Sequence, residues 1–347
     1  MSEQSKTGGP RIGRAKRKSI SKSTRDWVEI RPMYADRPYP VMITPKFDEC
    51  DLHEWLTNNR DYARALWEEQ RSLLFRGFDF GGTEGFERFV KAFAESDPLP
   101  YVDRSTPRAE YGKNIYCTTI YPRENTIRLH NEGSYWLVHP SIAFFGCITA
   151  PAVGGATPFG DVHRVYERID PAIREEFERR DWLLQRNYNA GLSLPWQEVF
   201  QTTDRQQVED YCAKNRIRVE WKDGDGLRTQ QVRKPVMTHP RTGVPLWHNH
   251  AAFFHVSSYE PQMRAALTRD YAHDELPYNT YYGDGGEIPE DVIAHIHEAY
   301  EAEKIRFTWQ EGDLHLIDNL QLAHAREPYE GERLILVSLN EPFVPED

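Results

Sequence analysis

Cysteine is scarce in this chain. The four residues, Cys50, Cys117, Cys147 and Cys212, are widely separated and form no Cys-x-x-Cys pair. That pattern excludes a zinc ribbon, offers no disulfide framework, and points to a reducing, cytoplasmic setting. Long apolar runs are also missing. No stretch reaches the roughly 18 apolar residues of a membrane span. The basic run Arg11-Ile12-Gly13-Arg14-Ala15-Lys16-Arg17-Lys18 is not followed by the apolar segment of a secretory signal. Positive charge is in deficit, with 43 Lys and Arg against 54 Asp and Glu. The net charge of -11 argues against nucleic acid or an anionic membrane as partner.

Aromatic residues are plentiful at 12%, with nine Trp and 18 Tyr, which favours a packed globular body over disorder. At 347 residues, even 39% hydrophobic content can build a sizeable core. Residues 1–25 are expected to form a flexible basic tail, and 26–347 a single domain with lid-like insertions near 187–234 and 270–288.

Helical spacing of Leu52, Trp55, Leu56, Tyr62, Leu66 and Trp67 predicts a helix over 51–70. Further helices are expected over 85–94, 171–179, 260–269 and 289–303. Strand-like runs occur at 72–78, 115–120, 141–148, from 157, at 236–237, 244–247, 305–309, 314–317 and 334–339. The stretch 273–287 reads as polar loop. Many short strands with helices before and between them indicate a mainly β fold with α decoration, a barrel or jelly roll.

The chemistry is concentrated in Leu129-His130-Asn131-Glu132-Gly133 and, far downstream, in Asp318-Asn319-Leu320-Gln321-Leu322-Ala323-His324. Two histidines and one carboxylate form the ligand set of a facial triad, which holds Fe(II) on one side and leaves the other side open. The i, i+2 spacing of His130 and Glu132 suits a strand, where both side chains emerge on one face. By itself a His-x-Glu selects nothing in a chain with 13 His and 54 acidic residues. His273-Asp274-Glu275 has the same form, and His248-Asn249-His250 and His295-Ile296-His297 add further histidine pairs.

Several separate pieces occur in one family order: His130-Asn131-Glu132, Gly154-Gly155-Ala156-Thr157, Trp309, Asp313, Asp318-Asn319, His324 and Arg333. From about residue 70 to 342 the chain resembles the taurine dioxygenase-like (TauD/TfdA) superfamily. Its details are most similar to the SyrP-like branch of amino-acid hydroxylases. Leu73-Leu74-Phe75-Arg76-Gly77-Phe78, Gly112-Lys113-Asn114-Ile115-Tyr116 and Trp247-His248-Asn249 resemble further segments of that branch. The resemblance implies a double-stranded β-helix and an oxygenase that uses Fe(II), 2-oxoglutarate and O2. It implies His130, Glu132 and His324 as metal ligands, with Arg333 and Thr157 on the distal carboxylate of the co-substrate. The implied reaction is hydroxylation of an amino acid or amino-acid-derived unit, free or tethered to a carrier protein, in natural-product biosynthesis. Desaturation, epoxidation and ring closure are alternatives from the same cofactors. A zinc hydrolase and a non-catalytic jelly-roll binding protein remain the rivals from other classes.

Each site residue also has a plainer reading. Arg333 can pair with Glu330 or Glu332, Thr157 can be an ordinary strand residue, and Arg326 can pair with Glu327 instead of touching co-substrate. Arg104, Asn114, Tyr116, Asn131 and Asn249 are candidates for the substrate pocket. Trp309, His248, His250 and His255 read as core or pocket wall, and Asp318 and Asn319 as supporting or turn-forming residues.

Overall fold

The computed structural model of the protein describes residues 23–104, 108–118, 121–188 and 193–345. All but the last three residues of the expected basic tail lie outside them.

An eight-stranded sheet forms the frame. In spatial order its strands are Val28–Pro32, Val41–Pro45, Ser72–Phe75, Leu314–Asp318, His139–Thr149, Leu334–Phe343, Ile115–Cys117 and Glu110–Gly112. Every neighbouring pair is antiparallel except Val41–Pro45 with Ser72–Phe75. The three central strands are buried on both faces, so they read as nearly continuous apolar runs. Alternate residues serve different cores. Ile142, Phe144, Leu314, Leu316 and Leu336 face one apolar cluster, whereas Ala143, Phe145, Cys147, Ile335 and Val337 face the other.

The first cluster lies under two helices. Asp51 caps helix Leu52–Gln70 by accepting from Glu54 N at 2.8 Å, and Leu52, Trp55, Leu56, Ala63 and Trp67 turn inward. Helix Gly82–Phe93 adds Phe86, Phe89, Val90 and Phe93. Each fully buried Leu or Phe in this layer contributes roughly 1.5–3 kcal/mol of transfer free energy.

The second cluster fills the space between the large sheet and a three-stranded sheet made of Ile127–His130, Leu322–Arg326 and Phe159–Asp161. These two facing sheets are the expected double-stranded β-helix, and the functional residues lie between them.

A third, four-stranded sheet joins Arg218–Trp221, Leu227–Arg233, Trp182–Tyr188 and Tyr278–Tyr282. Together with helices Trp196–Phe200 and Arg205–Lys214 it buries an apolar cluster of its own around Trp196, Phe200 and Val208. Its last strand falls inside the stretch read as loop over 273–287. The β-forming run Tyr278-Asn279-Thr280-Tyr281-Tyr282 pairs with Trp182–Tyr188 despite its polar flanks. The opposite difference occurs at 305–309. Ile305, Phe307 and Trp309 are buried in alternation as expected, but only Ile305 makes a bridge, to Phe159, so no strand forms.

Candidate metal centre

His130 and His324 face each other as register partners on adjacent antiparallel strands, with ring centroids 4.5 Å apart. The His130 Nδ1 lies 2.8 Å from the Arg128 carbonyl, which sets Nδ1 as the donor and leaves Nε2 aimed at the centre. Burial, reinforced by the neighbouring His324, pushes His130 down to about 4, so the imidazole is neutral at pH 7.

Glu132 does not lie on the strand. The strand ends at His130, and the chain turns through Asn131 and Glu132 into Gly133. The i, i+2 argument therefore identifies the pair for the wrong local reason. Gly133 has φ 70°, and a Cβ there would sit 2.5 Å from Trp136 Cε3, so this turn needs glycine. Asn319 fixes the turn from the far end of the chain. Its Oδ1 accepts from Glu132 N at 2.9 Å, and its Nδ2 donates to the carbonyls of Glu132 at 3.0 Å and Pro140 at 2.8 Å. Asp318 beside it accepts from Arg241, Gln321 and Leu320 N, fixing the lead into the strand that carries His324.

One ligand atom from each of His130, Glu132 and His324 lies within 4.8 Å of the others. Glu132 Oε2 is 3.7 Å from His324 Nε2 and 3.9 Å from His130 Nε2. Two imidazole nitrogens and one carboxylate oxygen converging at this spacing suit a first-row divalent metal. Burial would raise the Glu132 carboxyl, but the Arg108 guanidinium and the two imidazoles outweigh it and hold it well below the usual range. Two neighbours absent from the sequence reading complete the carboxylate's surroundings. The Tyr101 hydroxyl donates to Oε1 at 2.5 Å, and Arg108 Nη2 donates to Oε2 at 3.0 Å.

Two cavities meet at this cluster. The inner is a narrow cleft of about 30 Å³ lined by Thr118, Thr157, Arg326 and Arg333. Arg333 donates to Thr118 Oγ1 at 3.0 Å, Thr157 Oγ1 at 3.2 Å and the Gly155 carbonyl at 3.3 Å. No carboxylate among the described residues pairs with it, neither Glu330 nor Glu332, and burial lowers its guanidinium to about 10. Thr157 Oγ1 also accepts from the Trp309 indole at 2.8 Å. Arg333 and Trp309 are both pure donors, so neither of them takes the threonine's own proton. Arg326 lines the same cleft; its two terminal nitrogens donate to the carbonyls of Tyr121, Pro122 and Asn125, and its Nε is buried without a hydrogen-bond partner among the described residues.

The outer cavity, of about 380 Å³, has aromatic walls that include Tyr101, Tyr135, Phe253, Phe254 and Tyr278. His250 lines it, held by Ser134 Oγ at 2.5 Å. The other residues considered for substrate line neither cavity. Arg104 gives its backbone carbonyl to Arg186, and Asn114 donates to the Pro98 carbonyl while accepting from Tyr116. Asn131 donates to the Asn319 carbonyl and Asn249 to that of Pro235. A larger groove, of about 870 Å³, passes Trp136, Lys234 and His239 and includes none of the three clustered residues.

The family model described as "Taurine catabolism dioxygenase TauD, TfdA family" matches residues 35–339. This chain belongs to that family. It is an iron(II)- and 2-oxoglutarate-dependent dioxygenase that takes O2 as co-substrate, which removes the zinc hydrolase and the non-catalytic binding protein from consideration. The oxygenase is 35% identical to the dapdiamide synthesis protein DdaC of Enterobacter agglomerans, over 91% of this chain and 95% of that protein. It is 28% identical to the clavaminate synthase-like protein At3g21360 of Arabidopsis thaliana, over 89% and 92% respectively. Among solved structures, PvcB of Pseudomonas aeruginosa superposes with a TM-score of 0.51 at 18% identity, covering 90% of this chain and 91% of its own, a likeness of fold. Among the described residues no helix is long and apolar enough to cross a membrane.

Proposed function

We propose that this oxygenase hydroxylates an unactivated C–H bond of an amino acid or amino-acid-derived substrate, free or carrier-tethered, in natural-product biosynthesis. In this reading His130, Glu132 and His324 hold Fe(II), while Arg333 and Thr157 receive the distal carboxylate of 2-oxoglutarate. The observation that carries it is the convergence of two imidazole Nε2 atoms and Glu132 Oε2 beside Arg333, a part-buried guanidinium held only by neutral oxygens. When bound, iron and 2-oxoglutarate supply the activation of O2, and the chain supplies position. Thr157 and Arg333 orient the diacid. The aromatic walls of the outer cavity exclude water and aim the substrate. Glu132 fills the ligand position that a halide would need, so the product carries oxygen and no chlorine.

The likeness to a dapdiamide synthesis protein favours a biosynthetic substrate. Four free cysteines fit a reducing, cytoplasmic compartment. The insertions over 187–234 and 270–288 serve as a lid in this reading. Gln231 and Arg233 grip the Tyr135 carbonyl close to the Glu132 turn, and Tyr278 forms cavity wall. The test is an anaerobic titration with Fe(II) and 2-oxoglutarate, followed by O2 and a panel of free and carrier-bound amino acids. A visible charge-transfer band, succinate release and a product heavier by one oxygen are expected. Loss of two hydrogens would select desaturation or ring closure instead. A normal band in His324→Ala would overturn the ligand set.

A further inference from the structure

A histidine interrupts the central strand Leu314–Asp318, whose Leu314, Leu316 and Ile317 are apolar and buried. His315 is 2% exposed, and the Phe307 ring centroid lies 5.0 Å from its own. Its Nε2 is 2.7 Å from Ser72 Oγ, and its Nδ1 is buried without a hydrogen-bond partner among the described residues. An unpaired buried polar atom is costly, and an apolar side chain here would avoid that cost. The metal ligand His324 carries the same defect. With Nε2 turned to the centre as a lone pair, its ring proton sits on Nδ1. That N–H is also buried with no partner among the described residues. The other imidazole differs, because His130 Nδ1 meets the Arg128 carbonyl at 2.8 Å. A ligating histidine ordinarily gives its second nitrogen to an acceptor that fixes ring and tautomer.

The two facing sheets bring these atoms to opposite corners of one group of four rings. Phe145 is the register partner of His315 on the large sheet, and Phe159 that of His324 on the small one. Across the gap, Phe145 packs on His324 with ring centroids 5.1 Å apart, and Phe159 on His315 at 5.7 Å. The phenyl rings offer no lone pair, and the nearby Thr157 and Trp309 are bonded to each other at 2.8 Å. The tautomer of His315 that donates from Nε2 to Ser72 leaves Nδ1 as an acceptor. One histidine then presents a buried donor and the other a buried acceptor, in the same layer.

We propose that His315 is a positioning residue for the metal centre, accepting the His324 Nδ1–H through one internal water. This rests on the assignment of His324 as a metal ligand. The water has a donor on one side and an acceptor on the other, the minimum that holds it in a core. The chain Ser72, His315, water, His324 runs from the large sheet to the small one. It keeps His324 Nε2 unprotonated and aimed at the centre before any metal arrives.

The experiment separates the two sides of the His315 ring. In His315→Asn the amide stands where Nδ1 does, so the acceptor is kept and the Ser72 bond is lost. In His315→Gln the amide reaches Ser72 and the acceptor is lost, while His315→Leu loses both. Mn(II) affinity is read by paramagnetic resonance of the free ion, with 2-oxoglutarate present. It should fall on the order of ten-fold in His315→Gln and His315→Leu and stay near wild type in His315→Asn. A second readout does not depend on affinity. In Zn(II)-loaded protein carrying isotope-labelled histidine, the His324 Nδ1 proton should resonate downfield and exchange slowly in wild type and His315→Asn. It should exchange fast in the other two. The reverse order, with His315→Gln like wild type and His315→Asn impaired, would make His315 a partner of Ser72 alone and overturn the proposal. So would a His324 proton that exchanges fast in wild type, or Mn(II) affinity that moves equally in all three variants or in none. If His315→Leu does not fold, the order of the Asn and Gln variants still decides. If wild type binds neither Mn(II) nor Zn(II), the ligand assignment itself has failed, an outcome separate from the others.

Discussion

The two cavities that meet at Glu132 are built differently. The inner cleft draws its groups from or beside the strands of the double-stranded β-helix: His324 within one, Thr157 and Arg333 just ahead of others. Its chemistry is ionic and narrow. The outer cavity is walled largely by loops and by the inserted sheet, with Phe253, Phe254 and Tyr278 presenting ring faces and edges. Groups placed by a ladder have a fixed register, whereas groups placed by loops can be exchanged without disturbing the frame. A fixed oxidant site beside a replaceable substrate site follows from this arrangement.

The harshest way to break that division is at the inner wall. His130→Ala, Glu132→Ala or His324→Ala should each abolish metal binding and turnover. His250→Ala, on the outer wall, should keep the anaerobic Fe(II)–2-oxoglutarate band and alter only substrate use. Loss of the band in His250→Ala would show that the walls are not separable. Arg333→Ala comes next. Losing a charge-assisted contact in a desolvated site should cost about 2–4 kcal/mol of 2-oxoglutarate binding, with metal affinity nearly unchanged. Co-substrate titration of metal-loaded protein measures it.

A smaller change sharpens the same point. Trp309→Phe keeps an aromatic ring at this buried position but removes the indole N–H that Thr157 accepts at 2.8 Å, along with the five-membered ring that carries it. The threonine then loses its fixed orientation, and 2-oxoglutarate affinity should fall by about 1 kcal/mol, roughly five-fold. An unchanged affinity would make Trp309 plain core. The gentlest test changes no residue. Burial pushes His248 and His297 down to about 4 and His315 to about 3, so the folded chain resists protons that the unfolded chain accepts. Their stabilising contribution is present above about pH 6.5 and is lost as pH falls toward 4. The melting temperature should therefore drop steeply across that window, and a flat profile would contradict it.

The difference between the walls also explains what a reader of the sequence could find. His130, Glu132, Thr157, His324 and Arg333 stand at fixed offsets from strands and turns, and offsets survive in a linear text. Tyr101 and Arg108 do not. Each reaches Glu132 from outside any helix or strand, so nothing separated Arg108 from Arg104, four residues earlier, whose carbonyl is used by Arg186. Asn114, Asn131 and Asn249 use their amides to tie backbone carbonyls distant in sequence, those of Pro98, Asn319 and Pro235, a structural task that composition cannot distinguish from ligand binding. The fold class was readable because burial on both faces leaves long apolar strands. The strand at 278–282 was not, because its polar neighbours outweighed its own β-forming residues.

Asn319 has a practical consequence. It ties the Glu132 turn to Pro140, on the central strand His139–Thr149, through bonds that involve no metal. A zinc finger must collapse around its ion. Here the cradle is held by amide and carbonyl groups that a chelator cannot remove. The protein should tolerate being stripped, stored and reloaded, and should accept one divalent ion in exchange for another without refolding.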